Sequence, residues 1–173
     1  MAAAPAQDRG RLHAVVLGTA DSIAGTVYGT IVVMGSITAG AEGTRDPVRL
    51  AVIVASTVLV LWLAHVYAHG LGESVARQRR LDRAELLSVA RREFSIPLAA
   101  AAPTAALVLG GLDIVGDATA AWLALGIGLA TLAVQGGRYA MLEHLGPPAT
   151  AAIIAVNVGL GLVIVALKVF IAH

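Results

Sequence analysis

Three side chains that can bind a metal ion or carry a proton recur at intervals of four residues: His65, His69 and Glu73. They stand where an apolar segment gives way to arginines, in WLAHVYAHGLGESVARQRR. In a helix this spacing places side chains on one face, and two imidazoles so placed can share one divalent ion. Histidine also titrates near neutral pH, so the same face can pass protons. The pattern predicts a metal site or a proton relay.

Asp21 is an acidic residue inside an apolar segment nearer the N-terminus. Ionisable side chains within a membrane span are costly, so they usually face protein or water. A carboxylate from a second helix would add oxygen to the imidazole nitrogens, and such mixed ligands suit iron, manganese or zinc. We expect Asp21, His69 and Glu73 to bind the ion, because their segments place them in the same half of the bilayer. His65 would support these ligands from the next layer of residues around the ion. No tightly bound cofactor is expected, since the metal would be transported.

Two further polar residues, Gln135 and Asn157, lie in apolar segments at a similar predicted depth. Several of the candidates also have an ordinary structural interpretation. His65 and Asn157 would form hydrogen bonds between helices, and Glu73 would pair with Arg77 one turn later. The spacing is compatible with both interpretations, so both stay open.

The composition indicates a membrane environment. Of the 173 residues, 58% are hydrophobic and 13% are charged, whereas about a quarter of the residues in a soluble domain are charged. A membrane-spanning helix needs about 20 apolar residues. Five stretches qualify, at about residues 13–40, 50–71, 94–112, 118–136 and 149–172. The sequence therefore predicts an all-α integral membrane protein with five transmembrane helices, in which residues 13–173 form a single domain after a flexible tail at 1–12.

Most of the arginines lie in the connector formed by residues 72–93. Basic residues accumulate on the cytoplasmic side of membrane proteins. We therefore place this connector and the N-terminus in the cytoplasm, and the C-terminus outside. The connector should be helical, continuing the second span and then turning back. It is either a solvated linker whose arginines lie near anionic headgroups or a gate or docking surface.

Other function classes lack the residues they need. There is no cysteine for a disulfide or thiolate site, and a net charge of +1 indicates no nucleic-acid partner. No Ser–His–Asp pattern or phosphate loop indicates an enzyme. The small residues of GTVYGT, Gly25–Thr30, predict close approach of another helix, either from this chain or from a homodimer partner.

Two stretches, TADSIAGTVYGT around Asp21 and HGLGESVARQRR from His69, carry a resemblance to a known family. With the five-span layout and the Pro- and Ala-rich SIPLAAAAPTAALVLGG, they resemble the vacuolar iron transporter family. Ser22 stands where that family has glycine, and His69 stands where its methionine falls, while Glu73 matches its glutamate. The connector is too short for the family's glutamate-rich metal-binding domain. The resemblance implies a five-span dimer that exchanges ferrous iron or manganese for protons.

These observations together lead to one functional hypothesis and one alternative. We expect a small multi-pass protein of a bacterial inner membrane, homodimeric within the lipid bilayer, that transports divalent metal ions, protons or both. Exchange would follow from competition between a metal ion and protons for one histidine and carboxylate site. The alternative is a non-transporting integral membrane subunit or assembly factor of a larger membrane complex. In that case the intramembrane polar residues would be assembly contacts.

Overall fold

The computed structural model describes residues 20–171, and every regular element in that range is an α-helix. The predicted tail at 1–12 and the predicted start of the first span, at 13–19, lie outside the described residues. The helices are α1 (Ala20–Gly43), α2 (Pro47–Ala76), α3 (Arg83–Arg92), α4 (Ser95–Gly111), α5 (Asp117–Leu142) and α6 (Pro147–Ile171).

Four of these helices, α1, α2, α5 and α6, are long and apolar enough to cross a membrane. The pair α3 and α4 passes the same test together, across a bend of 47°. The apolar part of this pair is α4, because all the charged residues of the two helices belong to α3. The prediction of an all-α protein is therefore confirmed for the described residues, and four or five candidate membrane spans agree with the predicted membrane protein, while the number of spans and the sidedness of the chain stay predictions.

Two helices extend beyond the predicted ends of their apolar spans. Helix α2 continues past residue 71 into the connector, as predicted, and ends at Ala76, whereas α5 continues to Leu142 beyond the predicted residue 136. Neither extension contains proline, so nothing forces the helix to end where the apolar run ends. Glu73 therefore lies in the last turn of α2, and Gln135 lies inside α5 and not at its end.

The connector is helical in two pieces, the last turn of α2 and the short helix α3, with a tight turn between them. Gln78 in that turn has a φ of 52°, a left-handed conformation that ends the helix. Asp82 then begins α3 with a capping box. Its Oδ1 accepts a hydrogen bond from the Glu85 N–H at 2.8 Å, and Glu85 Oε2 accepts one from the Asp82 N–H at 2.9 Å. The reversal places α3 against α2.

Helix α1 is the centre of the bundle and contacts α2, α4, α5 and α6. Its side chains Val33, Met34 and Ile37 are completely buried, and they belong to one core with Leu107 of α4 and Leu132 of α5. The outward faces of the helices are apolar and exposed, most of all on α6. Exposed apolar faces of this length suit contact with lipid chains.

The close contact between α1 and α4 depends on the glycines of the GTVYGT stretch. A Cβ atom at Gly29 would lie 2.8 Å from the carbonyl oxygen of Ile96, and one at Gly25 would overlap the hydroxyl of Ser95. Because glycine has no Cβ, the two backbones can approach this closely. The helix that these small residues admit is α4 of the same chain, so the stretch is accounted for without a dimer partner.

Candidate functional site

A cavity of about 620 Å³ lies between α1, the end of α2 and the junction of α3 and α4. Its polar lining consists of Tyr28, His65, His69, Glu73, Arg92 and Glu93. Three of the predicted site residues therefore share one cavity, as their four-residue spacing indicates. Arg92 and Glu93 were not predicted as site residues. Their position in the sequence could have indicated them as site residues, since they are the last charged residues before the third apolar stretch.

His69 is held in place by Glu93. Its Nδ1 lies 2.9 Å from Glu93 Oε1, which joins α2 to the end of α3. A carboxylate that accepts the Nδ1 proton of a histidine fixes the orientation of the ring and leaves Nε2 as the free nitrogen. The His69 side chain is 57% exposed and that of Glu93 is 18% exposed. The histidine is therefore the accessible member of the pair, and the carboxylate is the sheltered one.

His65 is half-buried one helical turn earlier. Its Nδ1 lies 3.2 Å from the carbonyl oxygen of Leu61. Because a carbonyl can only accept, Nδ1 carries the proton in this bond, and Nε2 of the neutral ring is left to accept. The His65 ring centroid lies 4.9 Å from that of Tyr28 and 5.9 Å from that of His69. Both histidines thus engage Nδ1 with an oxygen acceptor, as metal-binding histidines usually do.

Glu73 is paired with two arginines. It forms an ion pair with Arg92, and its Oε2 lies 3.2 Å from Nη2 of Arg77. The pair with Arg77, one turn later on the same helix, is the structural alternative that the sequence had left open. A metal ion at Glu73 would therefore have to displace an arginine from a charge-assisted hydrogen bond.

Asp21, the predicted ligand from the first span, belongs to α1, but its side chain lies outside the described part of the structure. It precedes Gly25, which lines the cavity, by one helical turn. Among the described side chains, no three His, Asp or Glu groups are arranged to hold a metal ion. His65, His69 and Glu73 thus share a cavity without converging as a ligand set, and a contribution from Asp21 stays a prediction.

Gln135 and Asn157 do not line this cavity. The Nδ2 atom of Asn157 donates to the carbonyl oxygen of Leu132 at 3.2 Å, which links the two helices. Gln135 is buried, and its Oε1 accepts a hydrogen bond from Nη1 of Arg138 at 3.2 Å. The hydrogen bond of Asn157 is the interhelical bond that its structural interpretation predicted. Neither Gln135 nor Asn157 shares the cavity that His65 and His69 line.

The position of Arg92 and Glu93 depends on how α3 is held against α2. Val89 is the buried residue of α3. The indole Nε1 of Trp62 donates to the carbonyl oxygen of Ala90 at 3.2 Å, and its ring meets that of Phe94 edge to face, with the centroids 6.2 Å apart. These contacts fix the end of α3, and so they set the distance of Glu93 from His69.

The turn between α2 and α3 is closed by charged groups around Glu85. Glu85 Oε1 accepts hydrogen bonds from Arg77 Nη1 at 2.6 Å and from Arg79 Nη2 at 2.5 Å. The hydrogen bonds from Arg79, together with that from the Asp82 N–H, lower the pKa of Glu85 to about 2. The Glu85 carboxylate is therefore charged at every physiological pH, and its hydrogen bonds to the two arginines stabilise the turn that leads into α3.

No known protein family, curated protein or solved structure matches this chain. The resemblance to the vacuolar iron transporters therefore rests on the two short motifs and the helix layout alone. The geometry of the cavity is the remaining guide to function.

Proposed function

We propose that this protein is a membrane transporter that moves divalent metal ions, protons or both through the cavity between α1, α2 and the α3–α4 junction. The observation that carries the proposal is the pair of histidines, His65 and His69, whose Nδ1 atoms are both engaged by oxygen acceptors. This leaves the two Nε2 atoms as the nitrogens that can bind a metal ion or a proton. Both rings line one cavity on a helix long enough to span a bilayer.

The chemistry of the pair supports exchange. A metal ion needs a neutral imidazole, so a proton on Nε2 of His69 and a metal ion exclude each other. A doubly protonated His69 remains paired with Glu93 as an ion pair, which keeps the ring in place in both states. Glu73, released from Arg92, would add a carboxylate to a bound cation. In this mechanism Glu93 orients the ring and Glu73 becomes a ligand only after its arginine moves away.

The resemblance to the vacuolar iron transporters supports the choice of ion and the setting. It favours ferrous iron or manganese as the cargo, a homodimer as the assembly, and a cytoplasmic N-terminus. The cavity would then open near the cytoplasmic leaflet of a bacterial inner membrane. Asp21 would contribute a carboxylate from α1, as its position one turn before Gly25 allows.

The test is transport by the purified protein in liposomes that contain a pH-sensitive dye, with Mn²⁺ added outside. We expect Mn²⁺ entry together with proton exit in the wild type, and loss of both in His69→Gln. The matched control is His144→Asn, which changes a histidine outside the cavity lining; asparagine tolerates the φ of 52° at this position.

A second pair of variants tests the role of the carboxylate. Glu93→Gln should weaken the apparent affinity for Mn²⁺ by about 10- to 100-fold, because it replaces the carboxylate that accepts the His69 Nδ1 proton with a neutral amide oxygen, which is a weaker acceptor. Glu143→Gln, at the exposed end of α5, should leave the affinity unchanged. Liposomes that contain wild-type protein but behave like empty ones would contradict the proposal and favour the alternative of a non-transporting subunit. Equal activity in His69→Gln and His144→Asn would exclude this cavity as the pathway.

A further inference from the structure

One face of α3 points away from the bundle and combines two arginines with an exposed leucine. Arg83, Leu87 and Arg91 follow each other at intervals of four residues, so they form one stripe along the helix. All three are exposed, and the Leu87 side chain is 57% exposed, whereas Val89 on the opposite face is completely buried. We call Arg83, Leu87 and Arg91 the basic stripe.

The basic stripe differs in its pairing from Arg77, Arg79 and Arg92. Arg77 and Arg79 bind Glu85, and Arg92 binds Glu73, so each of these three arginines is ion-paired within the protein. No carboxylate in the described range 20–171 forms an ion pair with Arg83 or Arg91. The stripe therefore presents uncompensated positive charge on both sides of an apolar side chain.

The place of α3 in the chain brings this face to the edge of the bilayer. A single tight turn separates α3 from α2, a helix of membrane-spanning length, and a bend of 47° leads from α3 into the apolar helix α4. Phe94 and Leu98, which follow the stripe, are 54% and 63% exposed. A short helix at this level, with apolar side chains between basic ones, has the pattern of a helix that lies in the membrane interface.

From this placement we infer that the basic stripe binds the headgroup phosphate of an anionic phospholipid. Arg83 and Arg91 would reach the phosphate oxygens, since guanidinium groups match phosphate geometry and extend along an apolar surface. Leu87 would sit among the upper acyl carbons between them. A lipid fits this surface better than a free anion does, because the arginines flank an exposed leucine that a free anion would leave in water. The inference does not depend on the proposed transport activity.

The test measures lipid binding to the purified full-length protein by native mass spectrometry in a mild detergent. Dioleoylphosphatidylglycerol is titrated against dioleoylphosphatidylcholine, which carries the same chains and no net charge. The double variant Arg83→Gln/Arg91→Gln should bind phosphatidylglycerol about 25-fold more weakly, because each arginine near an anionic surface contributes about fivefold. Leu87→Gln should also weaken binding without a change in charge.

The matched control removes two exposed arginines at the start of α2, in Arg45→Gln/Arg49→Gln. It lowers the net charge by the same amount and should change the affinity by about twofold or less. Equal losses in the two double variants would show that only net charge matters and would overturn the inference. It would also be overturned if phosphatidylcholine bound as tightly as phosphatidylglycerol, or if millimolar inorganic phosphate displaced the lipid. Thermal unfolding of each variant shows whether a loss of binding reflects a loss of folding.

Discussion

The packing of α1 on α4 gives a quantitative test of the structure, through the substitution Gly29→Ala. The added Cβ would lie 2.8 Å from the carbonyl oxygen of Ile96, 3.1 Å from its Cα and 3.2 Å from the Cβ of Ala99. Two of these neighbours are backbone atoms, which cannot rotate away as a side chain can. The helices would have to separate by a few tenths of an ångström along this contact.

The matched variant is Gly35→Ala in the same helix, where a Cβ would meet nothing within 4 Å among the described residues. Both variants gain about 1 kcal/mol of intrinsic helix preference from replacing glycine by alanine. That gain cancels in the comparison, and only the contact at Ile96 differs. Overpacking at such a contact costs about 1–3 kcal/mol, so Gly29→Ala should be less stable than Gly35→Ala by this amount.

Thermal unfolding in detergent, followed by circular dichroism, measures this difference. A gap of about 1–3 kcal/mol corresponds to unfolding midpoints roughly 2–12 °C apart for a chain of this size. Ile96 also lines the cavity beside His65 and His69, so Gly29→Ala should disturb transport as well. Equal midpoints for the two variants would refute the close approach of α1 and α4, and with it the position of the cavity wall.

Glu85 and Trp62 give two further tests of how α3 is held against α2. The lowered pKa of Glu85 contributes stability that is fully present above about pH 4.5 and is lost as the pH falls toward 2. Glu85→Gln should therefore lower the unfolding midpoint at pH 7, and its difference from wild type should vanish near pH 2; a difference independent of pH would contradict the role of Arg79. Trp62→Phe removes the hydrogen bond to Ala90 and should cost about 0.5–1.5 kcal/mol. It should also speed hydrogen exchange in α3, and unchanged exchange there would show that other contacts hold this helix.

The sequence by itself predicted the class of this protein and the elements that depend on local properties. The backbone of an apolar stretch in a bilayer must form its hydrogen bonds within the stretch, so the apolar stretches of about 20 residues predicted the long apolar helices that the structure contains. The four-residue spacing likewise brought His65, His69 and Glu73 to one cavity, because helical periodicity is a local property. The pairing of Glu73 with Arg77 was available from the same spacing.

Only the tertiary structure decided which groups from other helices meet these residues. Glu93 reaches His69, and Arg92 reaches Glu73, because the turn at Gln78 folds α3 back on α2; no sequence spacing encodes that approach. Asn157 bonds to α5 instead of joining the histidines, because predicted depth in the membrane does not specify which neighbouring helix a side chain faces. A local pattern sets the face of a helix, whereas the partner of that face is set by the packing of the whole bundle.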